Sequence, residues 1–184
     1  MQLTIITGLS GAGRSSALRT LEDMGFFCSD NIPPALIPSF ARLCMERPSA
    51  SENVALVADM RMGDMFDSIY DAIDELGKMG IKPAIIFLDA SDEVLVSRFK
   101  QTRRRHPVSG SGKIITGILE ERDKLQRIKE MADMVIDTST YSVRALKATI
   151  EKLYSGRGDK GIQVSVITFG FKRSEERRVG KECR

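Results

Sequence analysis

The residues with the clearest chemical potential are Gly8-Leu9-Ser10-Gly11-Ala12-Gly13-Arg14-Ser15. Read as G-x-x-x-x-G-[R for K]-S, they have the composition of a phosphate-binding loop. Glycines let backbone N–H groups wrap closely round an anion, and a helix starting at the end of the loop adds its positive dipole end. Ser15 is then placed to put its hydroxyl on a magnesium ion, and Ser10 and Ser16 add donors. Arg14 stands where lysine is usual. A planar, longer cation is not a neutral exchange at a packed site, so binding is expected to persist and turnover to fall. Gly13 is expected to border the phosphate space, so that a side chain there would fill it.

A magnesium site also needs a carboxylate, expected at the carboxyl end of a parallel strand next to the loop. Asp59, after the apolar run 54–58, fits best. Asp89 follows the run 84–88 but reads more as a helix entrance, with Ser91-Asp92 just beyond. Asp30-Asn31 is a lesser candidate. The basic stretch Thr102-Arg103-Arg104-Arg105-His106-Pro107 could supply arginines to transferring phosphate, could contact an RNA backbone, or could be a solvated turn. His106 reads as a loop residue, and Met60, Met62 and Met65 read as packing.

Short apolar runs at 3–6, 26–28, 54–58, 84–88 and 134–136 alternate with segments of helical periodicity. The helical faces are Ala17, Leu18, Leu21 and Met24; Phe66, Ile69, Tyr70, Ile73 and Leu76, ended by Gly77 or Gly80; Val94, Leu95 and Phe99; Ile118, Leu125, Ile128 and Ala132 as one helix; and Val143, Leu146, Ile150 and Leu153. Near-continuous apolar strands between helices imply an α/β domain, a parallel sheet of the P-loop NTPase or nucleotide-kinase kind with helices on both faces. The expected organisation is a nucleotide domain over 1–154 and a glycine-rich linker over 155–161. An alternating strand within 162–172 would begin a second domain. Residues 173–184 form a tail of different character.

The whole chain has 184 residues, 42% hydrophobic and 29% charged, which is enough to bury a core and excludes wholesale disorder. There is no apolar stretch of membrane-spanning length and no expected secretory signal, so a cytoplasmic setting is anticipated. Cys28, Cys44 and Cys183 are too scattered for a disulfide framework or zinc site, and a single histidine excludes a multi-histidine metal centre. Net charge is +3; without the last twelve residues, 23 basic and 22 acidic residues leave +1, so charge says little about nucleic acid. That tail, RSEERRVGKECR, resembles the translation of a common sequencing adapter. It is expected to be non-native, with the natural chain continuing past Lys172.

The segments GLSGAGRSSALRTLEDMGFFCSDNIPP, VADMR, FLDASDEVLVSRFKQTRRRHP and ITFGFK together resemble the RapZ/YvcJ family of bacterial nucleotide-binding proteins, over residues 1–172. The resemblance implies an N-terminal domain that binds ATP and GTP with magnesium and hydrolyses them weakly, in a regulatory role. It assigns Gly8–Ser15 to the ATP loop and Asp59-Met60-Arg61-Met62 to a proposed GTP-binding segment. Arg14 and Asp59 become the candidate catalytic groups, and Ser15 and Asp59 the candidate magnesium ligands. It also implies a C-terminal domain, nearly all absent from this chain, which in some members binds RNA and an amino sugar phosphate as an RNase adapter. Two other readings stand beside slow hydrolysis: an RNA-binding adapter whose nucleotide only biases conformation, and a small-molecule kinase. The oligomeric state is open.

Overall fold

A computed structural model describes residues 1–46, 53–58, 67–102 and 113–155. Five strands form one sheet: β1 Gln2–Gly8, β2 Phe27–Ser29, β3 Asn53–Val57, β4 Ala84–Asp89 and β5 Met134–Asp137, in the order β2-β3-β1-β4-β5. Every pairing is parallel; Ile5 lies opposite Leu56 on one side and Ile85 on the other. β1 is thus the central strand, and Leu3 to Gly8 are buried without a break. Burial of both alternating faces explains why this strand reads as a continuous apolar run rather than an in-out pattern.

Among the described residues, seven α-helices accompany the sheet: α1 Arg14–Asp23, α2 Ile37–Glu46, α3 Ser68–Lys78, α4 Asp92–Thr102, α5 Ile114–Lys124, α6 Gln126–Glu130 and α7 Val143–Ser155. α1 packs on α7, α2 on α3, and α4 on α5. α7 closes over β1, where Tyr154 Oη lies 2.9 Å from Thr4 Oγ1. The Tyr154 ring meets Phe26 edge-on, with centroids 5.1 Å apart.

The expected α/β architecture is what the structure has, with three local differences. α2 follows a short 3-10 turn, Pro34–Leu36, where no helical face is expected from sequence. Pro38 sits in the first turn of α2, where its missing N–H is no loss. The helix expected to run unbroken past Ile118 divides at Leu125 into α5 and α6. α3 runs through Gly77, and the chain reverses at Gly80. Ser155, placed in the linker by sequence, is the last residue of α7. The segments 156–161, 162–172 and 173–184 lie outside the described residues.

Candidate functional site

The loop begins where β1 ends. Gly8 has φ +132°, and a Cβ there would stand 2.1 Å from the backbone oxygen of Leu88 in β4. Only glycine allows two strand ends to approach so closely. Leu9 N–H then donates to that same Leu88 oxygen at 3.0 Å, fastening the stem of the loop to β4. At the far end Gly13, with φ +106°, turns the chain into α1, and its carbonyl accepts the N–H groups of Ser16 and Ala17. A Cβ at Gly13 would meet Leu146 Cδ2 of α7 at 2.9 Å, so a side chain there also presses on the helix packing.

Between these ends the loop is held from outside at three consecutive residues. Ser10 N–H donates to Glu121 Oε2 at 3.0 Å and Ser10 Oγ donates to Glu121 Oε1 at 2.8 Å. The Gly11 carbonyl accepts from Arg98 Nη1 at 3.0 Å. The Ala12 carbonyl lies 2.9 Å from Thr138 Oγ1, which also accepts from Arg98 Nη1 and stands 3.0 Å from the Asp89 carbonyl. One hydroxyl proton serves one of those two carbonyls at a time. Arg98 Nη2 donates to the Thr138 carbonyl at 2.6 Å. Burial pulls the Arg98 pKa below its ordinary value, opposed by the nearby charge of Asp137. It remains a cation at any neutral pH.

With two of its carbonyls tied back, the loop keeps donors to offer. The N–H groups of Gly11, Gly13 and Ser15 meet no acceptor among the described residues. They lie on the loop and in the first turn of α1, where helix N–H groups have no intrahelical partner and the dipole is positive. Ser15 is exposed at that turn. Arg14 is buried, 7% exposed, and its Nη2 donates to Ser10 Oγ at 3.3 Å, so the guanidinium lies along the loop.

The other expected residues separate into three groups. Asp59, Met60, Arg61 and Met62 lie outside the described residues, as do Met65 and the basic stretch from Arg103 to Pro107. Ala58, just before them, donates its N–H to Ile6 O at 3.1 Å, which keeps that end of β3 beside β1. Asp89 is committed elsewhere: Oδ2 accepts from Lys129 Nζ at 2.7 Å, and Oδ1 from Arg122 Nη1 at 2.9 Å and from Ala90 N–H at 2.8 Å. Arg122 also reaches Asp92 at 2.6 Å. Burial raises the Asp89 pKa, but the hydrogen bond from Lys129 and the charge of Arg122 outweigh it and hold the carboxyl below its ordinary value. Asp30 is exposed, and Asn31 takes φ 56° at the end of β2.

No group of three or more potential metal-binding side chains occurs among the described residues. Cys28 and Cys44 are free thiols. Burial, with the charge of Glu22, pushes the Cys28 thiol up to about 11, which leaves it a poor nucleophile. No helix of the described residues is long and apolar enough to cross a membrane.

Glu121, Arg98 and Thr138 were missed as loop partners by reasoning from sequence. Two of them carry a signal. Glu121 falls on the apolar stripe of its helix, three residues after Ile118 and four before Leu125, where an acid is anomalous. Arg98 shares a face with Val94 and Leu95 in the same way. Thr138 sits in an ordinary polar turn after β5 and carries none.

The sheet order and the strand–loop–helix unit are those of P-loop kinases. Shikimate kinase from Acinetobacter baumannii, in complex with shikimate, superposes with a TM-score of 0.56 at 14% identity, covering 86% of this chain and 96% of that one. Shikimate kinase from Bacteroides thetaiotaomicron gives 0.52 at 13% identity, over 84% and 98%. The class is therefore an α/β domain of P-loop kinase fold.

Within that class, residues 1–158 match the family described as the RapZ-like N-terminal domain, and the chain belongs to it. Relatives called "Nucleotide-binding protein" in Clostridium kluyveri and Clostridium beijerinckii are each 49% identical over 174 residues, covering 94% of this chain. The chain spans 59% of the length of those relatives.

Proposed function

We propose that this chain binds ATP and GTP with magnesium at Gly8–Ser15 and hydrolyses them slowly, in a regulatory role. The observation that carries the reading is the loop itself. Its carbonyls at Gly11 and Ala12 are tied to Arg98 and Thr138, while N–H groups at Gly11, Gly13 and Ser15 are left at the positive end of α1. That arrangement is complementary to a polyphosphate. Family membership and the name carried by the Clostridium relatives support the same ligand class. The exposed Ser15 hydroxyl fits one magnesium position, and Asp59 is the proposed carboxylate. Magnesium would neutralise phosphate charge and orient the β- and γ-phosphates. Arg14 supplies the cation that lysine usually gives. RNA and amino sugar phosphate remain proposals for the longer relatives' additional sequence.

Calorimetry with ATP and with GTP, each with and without magnesium, together with phosphate release in the absence of any acceptor, tests this. Both nucleotides should bind, magnesium should be required for release, and release should proceed with no acceptor present. Gly13→Val should abolish binding, because a residue with a side chain is strained at φ +106° and would crowd the turn into α1. Arg14→Lys should raise turnover while changing affinity less, since lysine is a compact charge. Equal affinity of wild type and Gly13→Val defeats the site assignment. A tenfold fall in turnover with lysine, about 1.4 kcal/mol in the barrier, defeats the role given to Arg14. Release that appears only with an added acceptor makes the chain a kinase.

A further inference from the structure

We infer that Glu121 is a positioning residue, which fixes Ser10 from α5 so that the Arg14 guanidinium is held along the phosphate loop; this rests on the nucleotide reading above. Glu121 is fully buried, and a carboxylate in that state is costly unless its oxygens are hydrogen-bonded. Here each oxygen takes a bond from the same loop residue, one from the Ser10 N–H and one from its hydroxyl. The backbone bond fixes where Ser10 lies. The hydroxyl bond does something further, because it commits the only proton on Oγ to Glu121. With that proton turned away, Oγ faces Arg14 Nη2, 3.3 Å away, purely as an acceptor. Donor and acceptor directions thus run one way, from Arg14 through Ser10 to Glu121.

A long arginine side chain has much rotamer freedom to lose, so an acceptor built in advance spares part of that loss when phosphate arrives. The other side of the loop is fixed independently by Arg98 and Thr138 at the next two residues. Removing Glu121 should therefore loosen Arg14 at its contact with Ser10 while leaving most of the loop in place.

The test uses Glu121→Gln, which keeps the shape but presents an amide N–H₂ where an acceptor is needed, and Ser10→Ala, which keeps the backbone bond and deletes the relay. Side-chain 15N NMR reads Arg14 directly. Rotation of its guanidinium is expected to be faster in both variants than in wild type. In phosphate-release assays, Glu121→Gln should lower kcat at least tenfold with less than a threefold change in KM. In an Arg14→Ala background it should cost less than a further twofold, since the two residues act as one unit. Unchanged Arg14 dynamics in both variants, or losses that multiply in the double variant, overturn the inference. Should Glu121→Gln fail to fold, Ser10→Ala decides by the same readouts. A wild type that binds no nucleotide overturns the functional reading, and the NMR comparison still decides whether Glu121 orders Arg14.

Discussion

Thr7, one residue before the loop, carries a hydroxyl that is buried and has no hydrogen-bond partner among the described residues. A buried polar group left unpaired forfeits the hydrogen bonds it made to water in the unfolded chain. Valine has nearly the same shape without the hydroxyl. Thr7→Val should therefore raise stability by about 1 kcal/mol, read as a higher denaturant midpoint at unchanged slope. A lower midpoint would show that the hydroxyl has a partner in solution, and a loss of nucleotide affinity with unchanged stability would place that partner in the site. The same scale shows how unevenly chemistry is written in a chain. Gly8, Gly13, Arg14 and Ser15 are legible because a phosphate loop needs those types in consecutive order. Glu121 lies 111 residues from Ser10, and nothing local relates an acid in one helix to a serine in a distant loop.

At the scale of elements, the cluster at the end of β4 joins that strand to α5 and α6: Asp89 takes Arg122 from one and Lys129 from the other. Because the folded carboxyl is held below its ordinary pKa, the charged form is favoured by folding. Its contribution is present in full above the unfolded value, about 4, and is lost as pH falls below that towards the folded value. Asp89→Asn should remove this part of the acid sensitivity, flattening the stability profile below about pH 4 relative to wild type. Parallel profiles for the two proteins would mean that the pair adds no differential stability. The strands were legible because burial on both faces leaves uninterrupted apolar runs, as in β1 and β4. α2 was not, since Pro34 and Pro38 look like breakers until one knows that Pro38 occupies a first turn. The division at Leu125 was invisible for a related reason: Ile118, Leu125 and Ile128 keep one helical phase across it.

Taken whole, the described structure is finished by α7. Its Leu146, Ile150 and Tyr154 are buried, the first against the entrance of α1 and the last against β1. A chain ending at Ser155 should therefore unfold in one cooperative transition and bind nucleotide as the longer chain does, within about twofold. Denaturant unfolding and calorimetry on the shortened chain check this. A broad transition or lost binding would mean that later residues belong to the same folding unit, and the expected boundary at 154 would move.

The contact between Thr4 and Tyr154 has a further consequence, for the order in which the molecule comes into being. β1 precedes the other described elements in the chain, yet it occupies the middle of the sheet, with β3 on one side and β4 on the other. Its hydroxyl at Thr4 waits 150 residues for its partner. Synthesis at roughly 5–20 residues per second makes that wait many seconds, during which the central strand lacks the cover that α7 gives it. Parallel pairing between distant segments is slow to nucleate, because loop closure must precede any gain from contact. During translation the centre of the described sheet is thus made before its cover, and the hazard of aggregation there is greatest before α7 is complete.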